Sequence, residues 1–168
     1  MTAEEILQQL QSRFQEEIRT AAVRHGEACV TIRAERNLEI CRFLKEELGY
    51  DYLNCLSGVD WIADNEMEVV YNISSLKQPG KITLRARVPR TEPVLSSVVP
   101  LWATANWHER EAFDLFGIRF DNHPDLRRIL LPEDWIGHPL QKDYRDERFV
   151  PYPWEDRKPG GVARPTSA

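Results

Sequence analysis

The chain has 168 residues, 42% of them hydrophobic and 29% charged, and a formal net charge of −5. That is one domain, or one domain with an extension, with enough apolar side chains for a core. The acidic balance argues against nucleic acid as the main partner, and no apolar run approaches the roughly 20 residues that a membrane-spanning helix needs.

Met1-Thr2-Ala3-Glu4-Glu5 opens acidic, without the basic and apolar regions of a signal peptide. Cys29, Cys41 and Cys55 are odd in number and widely spaced. They predict buried thiols in a reducing compartment, not a disulfide framework, a zinc knuckle or an iron–sulfur site. The expectation is a cytosolic globular protein. Thr2 and Glu5 then have the spacing of a capping box, in which hydroxyl and carboxylate satisfy each other's orphan N–H groups. Ile6, Leu7, Leu10, Phe14 and Ile18 recur at three and four residues, which predicts an amphipathic helix over 3–24. Ala28, Val30 and Ile32 alternate with Cys29, Thr31 and Arg33 as a strand. A second helix is expected over 35–48, with Ile40, Cys41, Leu44 and Leu48 inward and Gly49 as its stop.

Strands are expected next over 52–59, 67–74 and 81–88. In the last two, Met67, Val69, Tyr71 and Ile73 and then Ile82, Leu84, Ala86 and Val88 form the apolar faces. Gln78-Pro79-Gly80 between them predicts a hairpin. The fold class is therefore α+β: a small, mostly antiparallel four-stranded sheet packed with about three helices, its other face turned to solvent or a partner. None of the eight glycines forms a phosphate loop.

Pro89 ends the last of these strands, and Thr91 with Pro93 can open another helix, divided at Pro100, with 101–116 as its firmest part. On that helix Trp102, Ala105, Glu109, Phe113 and Phe116 share one face, while Trp107, Arg110, Glu111 and Asp114 share the other. A carboxylate points in, and a tryptophan points out among charges. An unpaired buried charge costs several kcal/mol, so Glu109 is expected to pair with Arg127, Arg128 or backbone N–H groups and to hold the tail. Arg110 and Asp114 at i,i+4 read as a surface pair. Trp107 beside them has the character of an interface anchor. His108-Glu109 begins like HExxH, but residue 112 is Ala, and His108, His123 and His138 are too scattered for a zinc-site spacing. No serine or cysteine nucleophile signature is present.

From Pro124 onward lie seven of the eleven prolines, together with Ile129, Leu130, Leu131, Trp135, Tyr144, Phe149, Tyr152 and Trp154. A disordered tail is normally poor in aromatics. This one reads as a proline-stiffened arm that docks on its own domain or on another protein. The expected organisation is an α+β domain over 1–120, a docking arm over 121–157 and a flexible terminus over 158–168.

Glu109-Arg110-Glu111-x-x-Asp114-Leu115-Phe116 followed by His123-x-x-x-Arg127-x-Ile129-Leu130 resembles the signature of the thirty-kilodalton subunit family of respiratory complex I. In bacteria this is the C-type subunit of NADH-quinone oxidoreductase, with a J-type counterpart in cyanobacteria and plastids. Ala105-Asn106-Trp107 and the run Arg128 to Tyr144, through Pro132-Glu133-Asp134-Trp135 and Gly137-His138-Pro139-Leu140, are similar as well. Gln141 stands where the family usually has arginine, and Arg145 where proline commonly follows the aromatic.

The resemblance implies a non-catalytic structural subunit of the peripheral arm of a proton-translocating NADH-quinone oxidoreductase. It would be peripheral to the cell or thylakoid membrane on the cytoplasmic side, touching the membrane only through the complex. It implies docking onto the forty-nine-kilodalton (D-type) subunit near the quinone-reducing module, with flavin, iron–sulfur clusters and quinone in partner subunits and no cofactor here. Trp107, Glu109, Arg110, Glu111, Asp114, His123, Arg127, Arg128, Trp135 and His138 then serve as signature and interface residues, none of them catalytic or metal-binding. The alternatives are the equivalent subunit of a membrane-bound energy-converting hydrogenase or related complex, a free-standing metal-dependent hydrolase using the histidines, and a plain adaptor module.

Overall fold

A computed structural model describes residues 1–146; the tail aromatics Phe149, Tyr152 and Trp154 and the expected terminus 158–168 lie outside the described residues. Helix α1 (Ala3–Phe14) starts at the expected capping box, Thr2 N–H donating to Glu5 Oε2 at 2.9 Å and Glu5 N–H to Thr2 Oγ1 at 3.2 Å. It stops ten residues earlier than its periodicity predicts. Ile18 belongs to strand β1 (Ile18–Arg24), which turns into β2 (Glu27–Arg33) through His25 and Gly26, both at positive φ (53° and 79°). Two successive residues with positive φ match the right-handed twist of a hairpin, and Ile18, Thr20 and Val23 are β-branched.

A 3-10 turn at Ala34–Arg36 leads into α2 (Asn37–Glu46), and Gly49 at φ 74° closes that segment as expected. Strands β3 (Tyr52–Trp61), β4 (Glu66–Ser74) and β5 (Lys81–Pro89) follow, β4 and β5 pairing as the predicted hairpin. The sheet order is β1-β2-β5-β4-β3, with only β2 and β5 parallel. The sheet thus has five strands where four were expected, the added one being β1.

The segment after Pro89 is not a helix. Val94–Ser96 forms β6, which pairs in parallel with β7 (Arg119–Asp121), and α3 (Ala105–Phe116) lies between them in sequence. The apolar faces of α1 and α2 and of β2 to β5 meet in one core with Trp102, Ala105 and Ala112, and Ile18 and Ala21 of β1 pack half-buried against it. Helix α3 comes close to β3 because residue 58 is glycine: a Cβ there would lie 2.6 Å from the Phe116 ring.

Candidate functional site

Two buried polar side chains fix the segment before α3. Asn37 at the start of α2 is fully buried and clamps β6, donating to Ser96 O (2.8 Å) and accepting from Ser96 N–H (3.2 Å). Glu109 is fully buried on α3, as its helical phase predicts. Its partners are not Arg127 or Arg128. Val98 N–H donates to Oε1 and Ser97 Oγ to Oε2, both at 2.7 Å. Removal from water outweighs these two bonds and pushes the Glu109 carboxyl up to about 7. His123 Nε2 lies 3.9 Å from Glu109 Oε2. Its Nδ1 accepts from Asp125 N–H (3.0 Å), so the proton sits on Nε2 and points to Asn106 O (3.2 Å). Burial, above all, holds this imidazole below its usual value.

Arg110 and Asp114 are not a surface pair. Both are buried, and they bond to the arm rather than to each other. Asp114 Oδ2 accepts three successive backbone N–H groups, from Ile129 (3.0 Å), Leu130 (2.8 Å) and Leu131 (2.9 Å), while Oδ1 takes Arg128 Nη1 at 2.6 Å. Burial would raise this carboxyl, but Leu131 N–H, the Arg128 guanidinium and the other two amides together hold it below the usual carboxylate range. Arg128 then donates through Nη2 to Trp135 O (2.9 Å) and Gly137 O (3.0 Å). Arg110 donates to Arg127 O and Arg128 O, each at 3.2 Å, and lies 5.3 Å over the Trp107 ring.

The arm also finishes the helix. A helix C-terminus leaves four carbonyls without intrahelical donors, and here each has one. Phe113 O takes Gly117 N–H (2.9 Å) and Leu115 O takes Leu140 N–H (3.0 Å). Asp114 O takes Arg128 Nη1 (3.1 Å) and His138 Nδ1 (2.9 Å), and Phe116 O takes Gln141 Nε2 (2.7 Å). Gly117 has φ 79°, and a Cβ there would sit 2.7 Å from His138, so glycine is required twice over. Further along, Lys142 N–H donates to Asp60 Oδ2 (2.7 Å), and Arg90 bridges Asp60 to Asp143. Asp60 and Arg90 escape sequence reading because they are single residues, one on β3 and one just after β5, 30 positions apart.

Of the signature residues, Asp114, Arg128 and His138 come together at the helix end, and Arg110 and Arg127 O beside them. Glu109 and His123 form a separate buried pair. Trp107 is 62% exposed, and Glu111 is exposed on the same helix. The Arg127 side chain pairs outward with Asp125 (2.9 Å). Trp135 is half-buried and contributes its carbonyl to Arg128. Among the described residues no three histidine, cysteine or acidic side chains gather to hold a metal ion, and no helix is long and apolar enough to cross a membrane.

The model of a family described as the 30 kDa subunit of respiratory-chain NADH dehydrogenase matches residues 30–150. The chain belongs to this family. The match begins inside β2, well upstream of the 105–144 stretch that carries the signature. Among relatives of this complex I family member, the C subunit of the NADH-quinone oxidoreductase of Geotalea uraniireducens is 43% identical over 151 residues, 89% of this chain and 88% of that one. The C subunit of the F(420)H(2) dehydrogenase of Methanosarcina mazei is 42% identical over 149 residues, 86% of this chain and 92% of that one. The solved trypsin-resistant fragment of Nqo5 has a TM-score of 0.63 at 30% identity, covering 73% of this chain and 98% of the fragment. A chain of the membrane-bound sulfane sulfur reductase, an archaeal respiratory membrane complex, has a TM-score of 0.73 at 21% identity, covering 84% and 85%, and shares the fold. As a member of the complex I family the protein is part of a multi-subunit complex.

Proposed function

We propose that this chain is a non-catalytic structural subunit of the peripheral arm of a proton-translocating NADH-quinone oxidoreductase, docking onto the forty-nine-kilodalton (D-type) subunit near the quinone-reducing module. One observation carries the reading. Trp107, Leu130, Ile136 and Leu140 stay exposed on a framework whose buried charges and helix-end carbonyls are all bonded internally. Exposed tryptophan and aliphatic side chains held rigidly are what a protein interface uses, because little entropy is lost on docking. Glu109, Arg110, Asp114, Arg128 and His138 are occupied in building that framework, while Glu111 and the Arg127 side chain face outward. Flavin, iron–sulfur clusters and quinone belong, in this reading, to partner subunits. The chain sits on the cytoplasmic side and meets the membrane only through the complex.

The 42% identity to the F(420)H(2) dehydrogenase chain supports a second reading of the donor alone: the same docking subunit in a complex fed by F(420)H(2). Co-expression of the tagged chain with the D-type subunit of the same genome tests the docking. A stable pair, weakened about tenfold or more by Trp107→Ala, is expected. Failure of the two wild-type chains to associate overturns it. Oxidation of NADH against F(420)H(2) by the purified complex decides the donor.

A further inference from the structure

The apolar side chains of β2, β5 and β4, apart from Val70, are buried on the side that the helices cover. The opposite face of the sheet is uncovered among the described residues, and strand register sets its composition. One row crosses all five strands as Ala22, Cys29, Thr83, Asn72 and Cys55. Every member is small and uncharged. In the row beside it, from Thr20 to Ser57, only Arg85 carries charge.

This face is concave. Residues of β1, β2 and β5 and Trp61 at the end of β3 enclose a trough of about 460 Å³. Arg19 reaches from β1 to Glu66 on β4 (2.6 Å) and closes one end. Arg19, Arg24, Arg85 and Arg87 line the trough together with Glu68, Glu66 and Asp64 bond to Arg19 and Arg87 at its end, and Arg24 stands opposite Glu27 in the strand register. Glu68 is 1% exposed, between Arg85 (3.1 Å) and Arg87 (3.0 Å), so it orients guanidiniums and offers no charge of its own to solvent. Arg87 is further held by Asp64 and Glu66 and stacks on Trp61 at 4.7 Å. Arg85 makes one hydrogen bond to Glu68 and stays 38% exposed. Arg24 is exposed and enters no ion pair among the described residues. In a chain whose net charge is −5, Arg24 and the exposed side of Arg85 are thus the cations of this trough that internal ion pairs leave over.

We propose that this trough is a second docking surface, separate from α3 and the arm, which seats an acidic polypeptide segment of a neighbouring subunit. The small floor lets a main chain come close, and its want of charge is the composition of an interface centre, with charges at the rim. The forks of Arg24 and Arg85 match carboxylates bidentately. A floor that runs across β1, β2 and β5 fits a stretch of chain better than a single inorganic anion. The proposal needs only that the protein be part of a multi-subunit complex.

A photo-crosslinking residue placed at Thr83, in the complex purified from its native membranes, tests it, with the same probe at Trp107 as a control. The expected result is an adduct to one segment of another subunit, rich in Asp and Glu. Its yield should fall about threefold or more in Arg24→Glu, since an exposed ion pair is worth about 0.2–1 kcal/mol and reversal replaces attraction by repulsion. Four outcomes overturn the proposal: an adduct to a segment without excess carboxylates, to a second copy of this chain, to lipid, or to nothing. Crosslinking at Trp107 but not at Thr83 removes this surface and leaves the proposed function standing. Crosslinking at neither removes both.

Discussion

Asp114→Ala is the sharpest perturbation of the junction. It deletes a fully buried carboxylate that accepts three amide N–H bonds at 2.8–3.0 Å and one Arg128 bond at 2.6 Å. Hydrogen bonds to a charged group are worth about 1.5–3 kcal/mol each, but four of them do not add. The arm can swing into water once its anchor is gone, so the loss is capped at the free energy of docking. Breaking one partner of a buried ion pair typically costs about 3–5 kcal/mol. Arg128 is left with carbonyl partners alone, so that range is the expected effect. At about 1.4 kcal/mol per decade, the amides of residues 129–131 should exchange with solvent roughly a hundred- to four-thousand-fold faster. Hydrogen exchange read by mass spectrometry on the isolated chain measures this directly. The sign of the pH dependence follows from the depressed carboxyl. Protection is full above the ordinary carboxylate range and is lost as pH falls through the folded-state value of Asp114. Unchanged exchange of 129–131 in Asp114→Ala would refute the anchoring role.

Glu109 gives the opposite pH trend. Its carboxyl titrates at about 7 in the fold against 4.5 ordinarily. The folded state holds a proton that the unfolded chain releases, so this group's contribution falls as pH rises from about 4.5 to about 7, by about 3 kcal/mol at most. Glu109→Gln should flatten that slope in urea titrations at several pH values, and an unaltered slope would show that Glu109 is ionised in the fold. Trp107→Ala should leave the melting temperature of the isolated chain nearly unchanged, within about 0.5 kcal/mol, while weakening assembly. Gly117→Ala must accept φ 79° and a Cβ 2.7 Å from His138; a loss of about 1–3 kcal/mol is expected by thermal melting. Arg90→Ala leaves Asp60, 4% exposed, with a backbone N–H alone, so residues 140–144 should become sensitive to limited proteolysis while residues 129–131 stay protected.

Local signals in the sequence translated well into structure. The Thr2–Glu5 box, the alternation of β4 and β5 and the glycine after α2 each act within a few residues, and each formed as read. The inward Glu109 and outward Trp107 followed from helical phase alone. Two errors share a cause. The Phe14–Ile18 spacing satisfies a helical stripe, yet Ile18 sits in β1, because strand pairing with β2 decided the matter and the signal for it was the His25-Gly26 turn. Val94–Ser96 became a strand because it pairs with Arg119–Asp121 across the whole of α3, which no local pattern encodes. The misreading of Arg110 and Asp114 is different in kind. Helical phase locates the side away from the core, but says nothing of a later segment that covers that side. Their partners are backbone groups of the arm, and backbone leaves no mark in a side-chain pattern.

The central claim is a structural subunit that presents a rigid, self-capped arm to a partner in a respiratory complex. Purification of the tagged chain in mild detergent from its native membranes, with mass spectrometry of what accompanies it and metal analysis of the chain once separated, tests that claim most directly. The account predicts recovery of the D-type subunit together with redox-cofactor subunits, and no stoichiometric metal on the chain itself. Recovery of the chain alone, carrying zinc, would contradict it.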